Sequence, residues 1–508
     1  MTKRALISVY NKDGIGSFSQ KLQSMGWEII SSSGTAAALT EAGVSVKEIS
    51  DLTGVPAMLG GRVKTLHPTV AGGILARRDR PEHMADLERH RIPTIDMVVC
   101  SLYPFEETLQ SGADLDQLTE QIDIGGVTLL RAAAKNYIHV VVISDLSDCT
   151  SVLEELEHRG DVSLETRQNL ALKAFASTSR YDTMITTGLR DCLGIQEERL
   201  PAHMPMCLDK VQPLRYGENP YQKAALYASV LAQQPWEQLS GTHLSYNNIL
   251  DMDGALRAMA IMHNDVGVAI LKHTTPCGMA VGESVLQAYH RARDCDPLSA
   301  YGGVVAVTRT VDLKAAQAMG EHFIEVLVVP DIASEALEYL SNRRPSLRIV
   351  RWRGGRPMKC QITGTWGGVL IQEDRLPTPP SPNSGRWVGS ERPELWDEIL
   401  LAWRVAAISK SNAVAIVKDG AAVGIGMGFC SRLFAVDFAV AQAGEKAKGA
   451  VMASDAFFPF TDGLERAAQA GITAIIQPGG SIRDDEVTEK AKELGISMFL
   501  SGHRTFRH

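Results

Sequence analysis

Short unbroken apolar runs punctuate the first 145 positions, at residues 5–9, 27–31, 97–101 and 140–143. Runs of this length without alternation read as strands buried on both faces. Between them, apolar residues recur at helical spacing over 15–25, 36–42 and 128–135. Strand and helix in alternation predict an α/β body with a parallel sheet covered by helices. Residues 150–192 keep the helical period throughout, with charge on one side, and predict helical structure closing this first domain.

A second α/β body is expected from about residue 200, with strands at 268–271, 304–307, 326–329 and 369–371. Pro377, Pro379, Pro380, Pro382 and Pro393 then crowd a Ser/Gly-containing stretch near 375–393, which reads as a linker or surface loop. A third run follows, with strands at 413–417, 421–425, 450–453, 474–476 and 497–500, and helices at 433–443, 464–469 and 484–494. The second and third runs are compatible with two copies of one fold, although no sequence repeat is visible. The division expected is 1–199 and 200–508.

Composition narrows the class. A net charge of -8 over 508 residues argues against a general nucleic-acid surface, while leaving room for a local basic pocket. No apolar run approaches the ~18 residues of a membrane span, and the N-terminus enters a strand without a signal-peptide core. The eight cysteines are scattered without a Cys-x-x-Cys pair, so a reducing cytoplasm is expected. Pro276-Cys277 has no second cysteine three residues on, so no zinc or other metal site is expected there.

Several segments carry chemistry. Lys272 and His273 end the run 268–271, ahead of Thr274-Thr275-Pro276-Cys277-Gly278, where a turn at Pro-Cys-Gly is expected. Both side chains are suited to moving a proton or steadying a charge near neutral pH. Ser31-Ser32-Ser33-Gly34-Thr35 joins a strand to a helix start, an arrangement that offers N–H groups and hydroxyls to an anion. Gly60-Gly61-Arg62-Val63-Lys64-Thr65-Leu66-His67-Pro68 gathers two cations in a stiffened loop. Tyr103 follows a strand, and Gln121-Ile122-Asp123-Ile124-Gly125-Gly126 opens a helix bearing Arg131 and Lys135. Tyr103, Asp123, Lys64 and Lys135 together are an acid–base candidate set. Neither a Walker A loop nor Gly-x-Gly-x-x-Gly occurs in these segments. Gly424-Ile425-Gly426-Met427-Gly428 has the wrong spacing and reads as close packing.

Taken in order, these motifs closely resemble the bifunctional purine-biosynthesis family that joins AICAR transformylase to IMP cyclohydrolase. Further matches are Leu214–Gln222, Leu244–Asn248, Ala453–Gly463, Ile475–Arg483 and the C-terminal Arg504-Thr505-Phe506-Arg507-His508. The resemblance implies a methylglyoxal-synthase-like, Rossmann-type domain followed by two cytidine-deaminase-like α/β subdomains without zinc. In the first, Ser8, Lys12, Ser32, Ser33, Gly34 and Thr35 would hold the ribose phosphate, and Arg62, Lys64, Thr65, Gly125 and Gly126 would line the nucleotide site. Tyr103, Asp123 and Lys135 would assist proton transfer as formyl-AICAR closes to IMP. In the second, His273 would be the base and Lys272 the charge stabiliser for formyl transfer from 10-formyltetrahydrofolate to AICAR. Asn412 would bond near the formyl oxygen, and Arg215, Tyr216, Arg432, Phe460 and His508 would serve substrate binding. The family implies a homodimer with transformylase sites across its interface, and a potassium ion stays open.

Six positions depart from the family pattern. Thr275 and Ser101 stand where asparagine is usual, Tyr221 and Thr505 where histidine is, Phe429 where glutamine is, and Tyr10 where a small hydroxyl residue is. The alternative readings are a cyclohydrolase whose second half is weakened or uses another formyl donor, and a non-catalytic nucleotide-sensing scaffold.

Overall fold

The computed structural model describes residues 2–195, 200–229, 235–354 and 360–508. The chain divides into two compact units, Met1–Asp209 and Lys210–Ala228 with Ala232–His508. The expected boundary at 199/200 touches residues outside the described set.

In the first unit β1 (Arg4–Ser8), β2 (Glu28–Ser31), β3 (Val46–Glu48), β4 (Met97–Cys100) and β5 (Val141–Ile143) form a sheet in the order β3-β2-β1-β4-β5. Every pairing is parallel. Leu6, Ile7, Val98, Val99 and Val142 are buried in its centre with Leu22, Leu130 and Val152 from flanking helices. Each such side chain contributes about 1.5–3 kcal/mol by leaving water. Strand β3 was not expected, because Val-Lys-Glu is too short and too polar to show as an apolar run. The helical stretch expected over 150–192 is formed by two helices, Cys149–Arg159 and Leu164–Cys192. Gly160 at φ 68 ends the first, and the Ser163 hydroxyl caps the second by accepting from the Thr166 N–H at 3.2 Å.

The second unit begins with a two-stranded sheet of β6 (Leu208–Leu214) and β7 (Ala224–Ser229). Its body is one twelve-stranded sheet. The N-terminal half contributes β8 (Trp236–Ser240), β9 (Gly267–Lys272), β10 (Thr275–Val281), β11 (Gly303–Val307), β12 (Ile324–Val329) and β13 (Arg348–Trp352). A separate hairpin, β14 (Cys360–Thr365) and β15 (Gly368–Glu373), includes the strand expected at 369–371. The C-terminal half contributes β16 (Arg386–Val388), β17 (Val414–Lys418), β18 (Ala421–Gly426), β19 (Val451–Ser454), β20 (Ala474–Gln477) and β21 (Ser497–Leu500). The proline-rich stretch runs between the halves and contains β16, an edge strand.

The sheet order is β16-β21-β20-β19-β17-β18-β10-β9-β11-β12-β13-β8. Read outward from the β10/β18 join, the two halves have the same pairing sequence: antiparallel, antiparallel, parallel, parallel, antiparallel. The unit is therefore an internal duplication. Helices Tyr246–Ile261 and Trp396–Ile408 share one apolar cluster on one face, and each half carries its own cluster on the other. Glycines recur at matched places. A Cβ on Gly278 would lie 1.9 Å from the Ala292 carbonyl oxygen, and one on Gly424 would lie 2.1 Å from that of Ala439. Gly278 is thus a packing position inside β10, and the expected Pro-Cys-Gly turn is not there. The chain reverses at His273-Thr274, with Lys272 paired to Thr275 across a two-residue hairpin.

Candidate functional sites

In the first unit the sheet order reverses between β1 and β4, and open α/β sheets hold ligands outside the carboxyl ends of strands at such a point. The residues there are those singled out from sequence. Ser8 ends β1, and Lys12 follows, its ammonium donating to the carbonyls of Val9 (3.3 Å) and Tyr10 (2.6 Å). The helix Ser33–Glu41 starts beside them with Ser32 at its N-cap, and neither Ser32 nor another side chain caps it. The Thr35 hydroxyl ties this helix start to β1, donating to the Val9 carbonyl (3.0 Å) and accepting from its N–H (3.2 Å). Ser32, Ser33 and Gly34 are left at an open helix N-terminus, the electrostatic requirement for an anion.

Across the switch point Tyr103 follows β4 with 42% of its surface exposed. The Asp123 carboxylate accepts from the Gly126 N–H at 2.6 Å and from the Tyr103 backbone, while the Tyr181 hydroxyl bonds the Asp123 N–H at 2.9 Å. Burial holds the Asp123 carboxyl above the ordinary 3.8, with the backbone N–H groups pulling the other way. Burial and the neighbouring Asp123 together raise the Tyr103 phenol. The 60–68 loop reaches the same place: a Cβ on Gly125 would lie 2.8 Å from the Thr65 hydroxyl, and Arg62 pairs with Glu120. Lys64 is half-buried behind Gly61. Lys135 is placed differently. It ends the helix that Gly125 begins, about 15 Å along the axis at 1.5 Å per residue. One chain therefore does not bring Lys135 beside Asp123. Arg131, on the same helix, lies over Phe175 at 5.5 Å.

Two departures meet in this site. The Ser101 hydroxyl accepts from the Tyr10 N–H at 2.8 Å, and the rings of Tyr10 and Tyr103 meet edge-on at 6.3 Å.

In the second unit His273 and Thr274 form the β9–β10 turn with φ of 54 and 63. His273 is exposed, and the Lys272 ammonium donates to the Tyr301 carbonyl at 2.8 Å. The Thr275 hydroxyl donates to the Lys272 carbonyl at 2.8 Å, so this departure is turned into its own hairpin. Asn412 precedes β17. Because β9 and β17 run antiparallel within the sheet, it lies along the same edge. Its amide donates to the Phe429 carbonyl (2.8 Å) and its oxygen accepts from Arg432 (2.6 Å). Arg432 also donates to Ser454 (2.7 Å) and Asp455 (2.5 Å). Asp455 further accepts from the Ser411 hydroxyl. Phe429 thus serves Asn412 through its backbone, which a glutamine-to-phenylalanine change leaves intact.

The C-terminal tail joins the two clusters. Arg507 donates to the carbonyls of Thr274 (3.3 Å) and Ile408 (2.7 Å), and its own carbonyl accepts from the Ser411 N–H (2.9 Å). Thr505 is buried and its N–H bonds the Asp455 carbonyl. Arg215 lies over Tyr216 at 5.6 Å, Arg483 over Phe460 at 4.7 Å, and His508 beside Phe506 at 5.7 Å. No bond joins these three groups to the hairpin. Tyr221 is 84% exposed. Sequence reasoning missed Asp251, whose carboxylate accepts the Thr274 N–H at 2.6 Å, and Arg507, Asp455 and Ser411. They act through bonds to backbone or to one another, which no spacing announces. Among the described residues no group of three or more His, Cys, Asp or Glu is placed to hold a metal ion, and no helix is long and apolar enough to cross a membrane.

Comparison with known proteins identifies the family. The family model described as AICARFT/IMPCHase bienzyme matches residues 133–442, and that of the MGS-like domain matches 14–128. The bifunctional purine biosynthesis protein PurH of Anoxybacillus flavithermus is 45% identical over 518 residues, and that of Persephonella marina is 43% identical over 531, each covering 100% of both chains. A solved structure described as ForH is 36% identical and covers 37% of this chain and 99% of its own. Its TM-score of 0.34 is too low to bear on the fold. With two sites of this composition on a methylglyoxal-synthase-like unit and a duplicated α/β unit, and full-length relatives at this identity, the chain belongs to the AICARFT/IMPCHase bienzyme family.

Proposed function

We propose that the chain carries out the last two steps of IMP synthesis, formyl transfer in the second unit and ring closure in the first. The observation that carries this reading is that each unit gathers acid–base candidates at one sheet edge, Asp123 and Tyr103 by the open helix start in the first and Lys272, His273 and Asn412 in the second. In the first unit, Asp123 and Tyr103 stand across a sheet switch point from the open helix start at Ser32–Thr35. A formyl-AICAR phosphate at that start would direct the imidazole toward Asp123. The carboxamide nitrogen attacks the formyl carbon of the same molecule, and water is lost. Placement supplies most of the rate, and Asp123 and Tyr103 handle the protons. Lys64 and Thr65 border the site, and Lys135 enters it only if another copy of the chain supplies it.

In the second unit the 5-amine of AICAR attacks the formyl carbon of 10-formyltetrahydrofolate. His273 takes the amine proton as the N–C bond forms, and the folate nitrogen leaves with a proton. Lys272 and Asn412 lie along the same sheet edge and are suited to the negative charge that develops on the formyl oxygen. Arg432, held by Asp455, fixes the Asn412 amide. The site is read within a homodimer, as the family resemblance implies, in the reducing cytoplasm expected from the scattered cysteines. Two assays test the proposal: AICAR with 10-formyltetrahydrofolate, and formyl-AICAR alone, both followed as IMP. His273→Ala is expected to abolish the first and spare the second. Loss of both together would overturn the division of labour, and activity in the second assay alone would favour a drifted transformylase half.

A further inference from the structure

The His273–Thr274 turn is an unusual one for its sequence. A two-residue hairpin with both central residues at positive φ normally takes Asn-Gly or Asp-Gly. The matched hairpin of the duplicate half obeys this, with Asp419 at φ 50 and Gly420 at φ 73 between paired Lys418 and Ala421. His273 and the β-branched Thr274 adopt the same conformation against their steric preference, which persists only where the surroundings over-determine it.

Those surroundings are specific. The carboxylate of Asp251, on the helix Tyr246–Ile261, accepts the Thr274 N–H at 2.6 Å and also the His273 N–H. Arg507 holds the Thr274 carbonyl from the other side. The duplicate half repeats the carboxylate device: Glu398, on the matched helix Trp396–Ile408, accepts the Asp419 N–H at 2.7 Å and that of Gly420. A half-buried carboxylate under a hairpin is thus the part the two halves share. Only in one copy does that hairpin bear a histidine, and only there is its backbone strained.

We propose that Asp251 is a positioning residue for formyl transfer. By holding both N–H groups of the turn it sets where the His273 imidazole stands over the sheet edge. The inference rests on the reading of His273 as the base. Glu398 provides an internal control, since it makes the same bonds to a hairpin without catalytic side chains.

The test uses the full-length protein, with ring closure of formyl-AICAR as the measure of folded enzyme. Asp251→Ala is expected to lower kcat for formyl transfer about 100-fold, the scale of an ångström misplacement, with the AICAR KM changed less than about twofold. Asp251→Asn, whose amide oxygen still accepts an N–H, should recover most of that loss. Asp251→Glu, which keeps the charge but pushes the turn outward, should fall about tenfold and serves if the alanine variant fails to fold. Glu398→Ala should leave formyl transfer unchanged even where its Tm drops as far. The proposal is overturned if kcat in the Asp251 variants follows Tm along the same line as Glu398→Ala, or if Asp251→Asn is as impaired as Asp251→Ala. Failure of the underlying reading looks different: His273→Ala would then keep formyl transfer.

Discussion

Asp123, the acid–base group proposed for ring closure, illustrates how a single side chain can cost stability at a proposed site. Its folded-state carboxyl is raised by burial, so the folded state binds a proton more tightly than the unfolded chain does. That contribution is complete below the ordinary value of 3.8 and is lost as pH rises through the folded value. At neutral pH the ionised carboxylate is a burden. Asp123→Asn, which can still cap the Gly126 N–H, is therefore expected to melt no lower than the parent at pH 7. Its rate of formyl-AICAR ring closure should fall at least about 100-fold. For the same reason the acid limb of the parent's kcat/KM profile for ring closure should lie above 3.8. A lower limb, or a variant that keeps its activity, would remove Asp123 from the reaction. Arg432 behaves oppositely. It and Asp455 are almost wholly buried, with side chains 5% and 0% exposed. Arg432→Met strands the Asp455 charge and should destabilise the second unit by about 3–5 kcal/mol, measurable by urea unfolding followed through its tryptophans.

At the scale of elements, strands buried on both faces were readable because their apolar runs are unbroken, as at β1, β4, β9 and β12. The hydroxyl-rich helix start at Ser32–Thr35 was readable for a related reason, since its chemistry is local. What failed depended on partners remote in sequence. The turn was expected at Pro276-Cys277-Gly278, because proline and glycine usually mark turns. In fact Gly278 is small to admit the Ala292 carbonyl, and Asp251 and Arg507 hold the true turn at His273-Thr274. The duplication was anticipated as two copies of one fold but showed no sequence repeat, because the copies share pairing order and only scattered residues such as Gly278 and Gly424. It nevertheless makes a prediction. Gly278→Ala and Gly424→Ala place a methyl against the carbonyls of Ala292 and Ala439 at nearly equal separations. Both should therefore destabilise by similar amounts, about 1–3 kcal/mol or more. Only the first lies on the strand that follows His273, so it should also impair formyl transfer. Equal stability losses with no difference in that activity would show that the hairpin does not depend on the packing beneath β10.

At the scale of the molecule, the two units have separate cores and separate candidate sites, so their activities should respond to different variables. On the proposed reading, ring closure draws Ser32–Thr35, Tyr103 and Asp123 from the end of one parallel sheet. Residues 1–209 expressed alone are expected to melt cooperatively and to close formyl-AICAR at a rate close to that of the whole chain. Formyl transfer has a further requirement if the family's homodimer holds here. Among the described residues, its candidate groups Arg215–Tyr216 and Phe460–Arg483 make no bond to the His273 hairpin within one chain, and the tail that carries His508 reaches it only through Arg507. A substrate touching all of them needs them gathered by something else, and a second copy is the simplest agent. Specific activity for formyl transfer should then fall on dilution through the dimer dissociation range, read by sedimentation or light scattering, and recover on concentration. Activity of the isolated 1–209 unit should stay flat over the same range. If formyl transfer is also flat while the protein becomes monomeric, one chain holds a complete transformylase site, and the separated aromatic–cation pairs serve its surface.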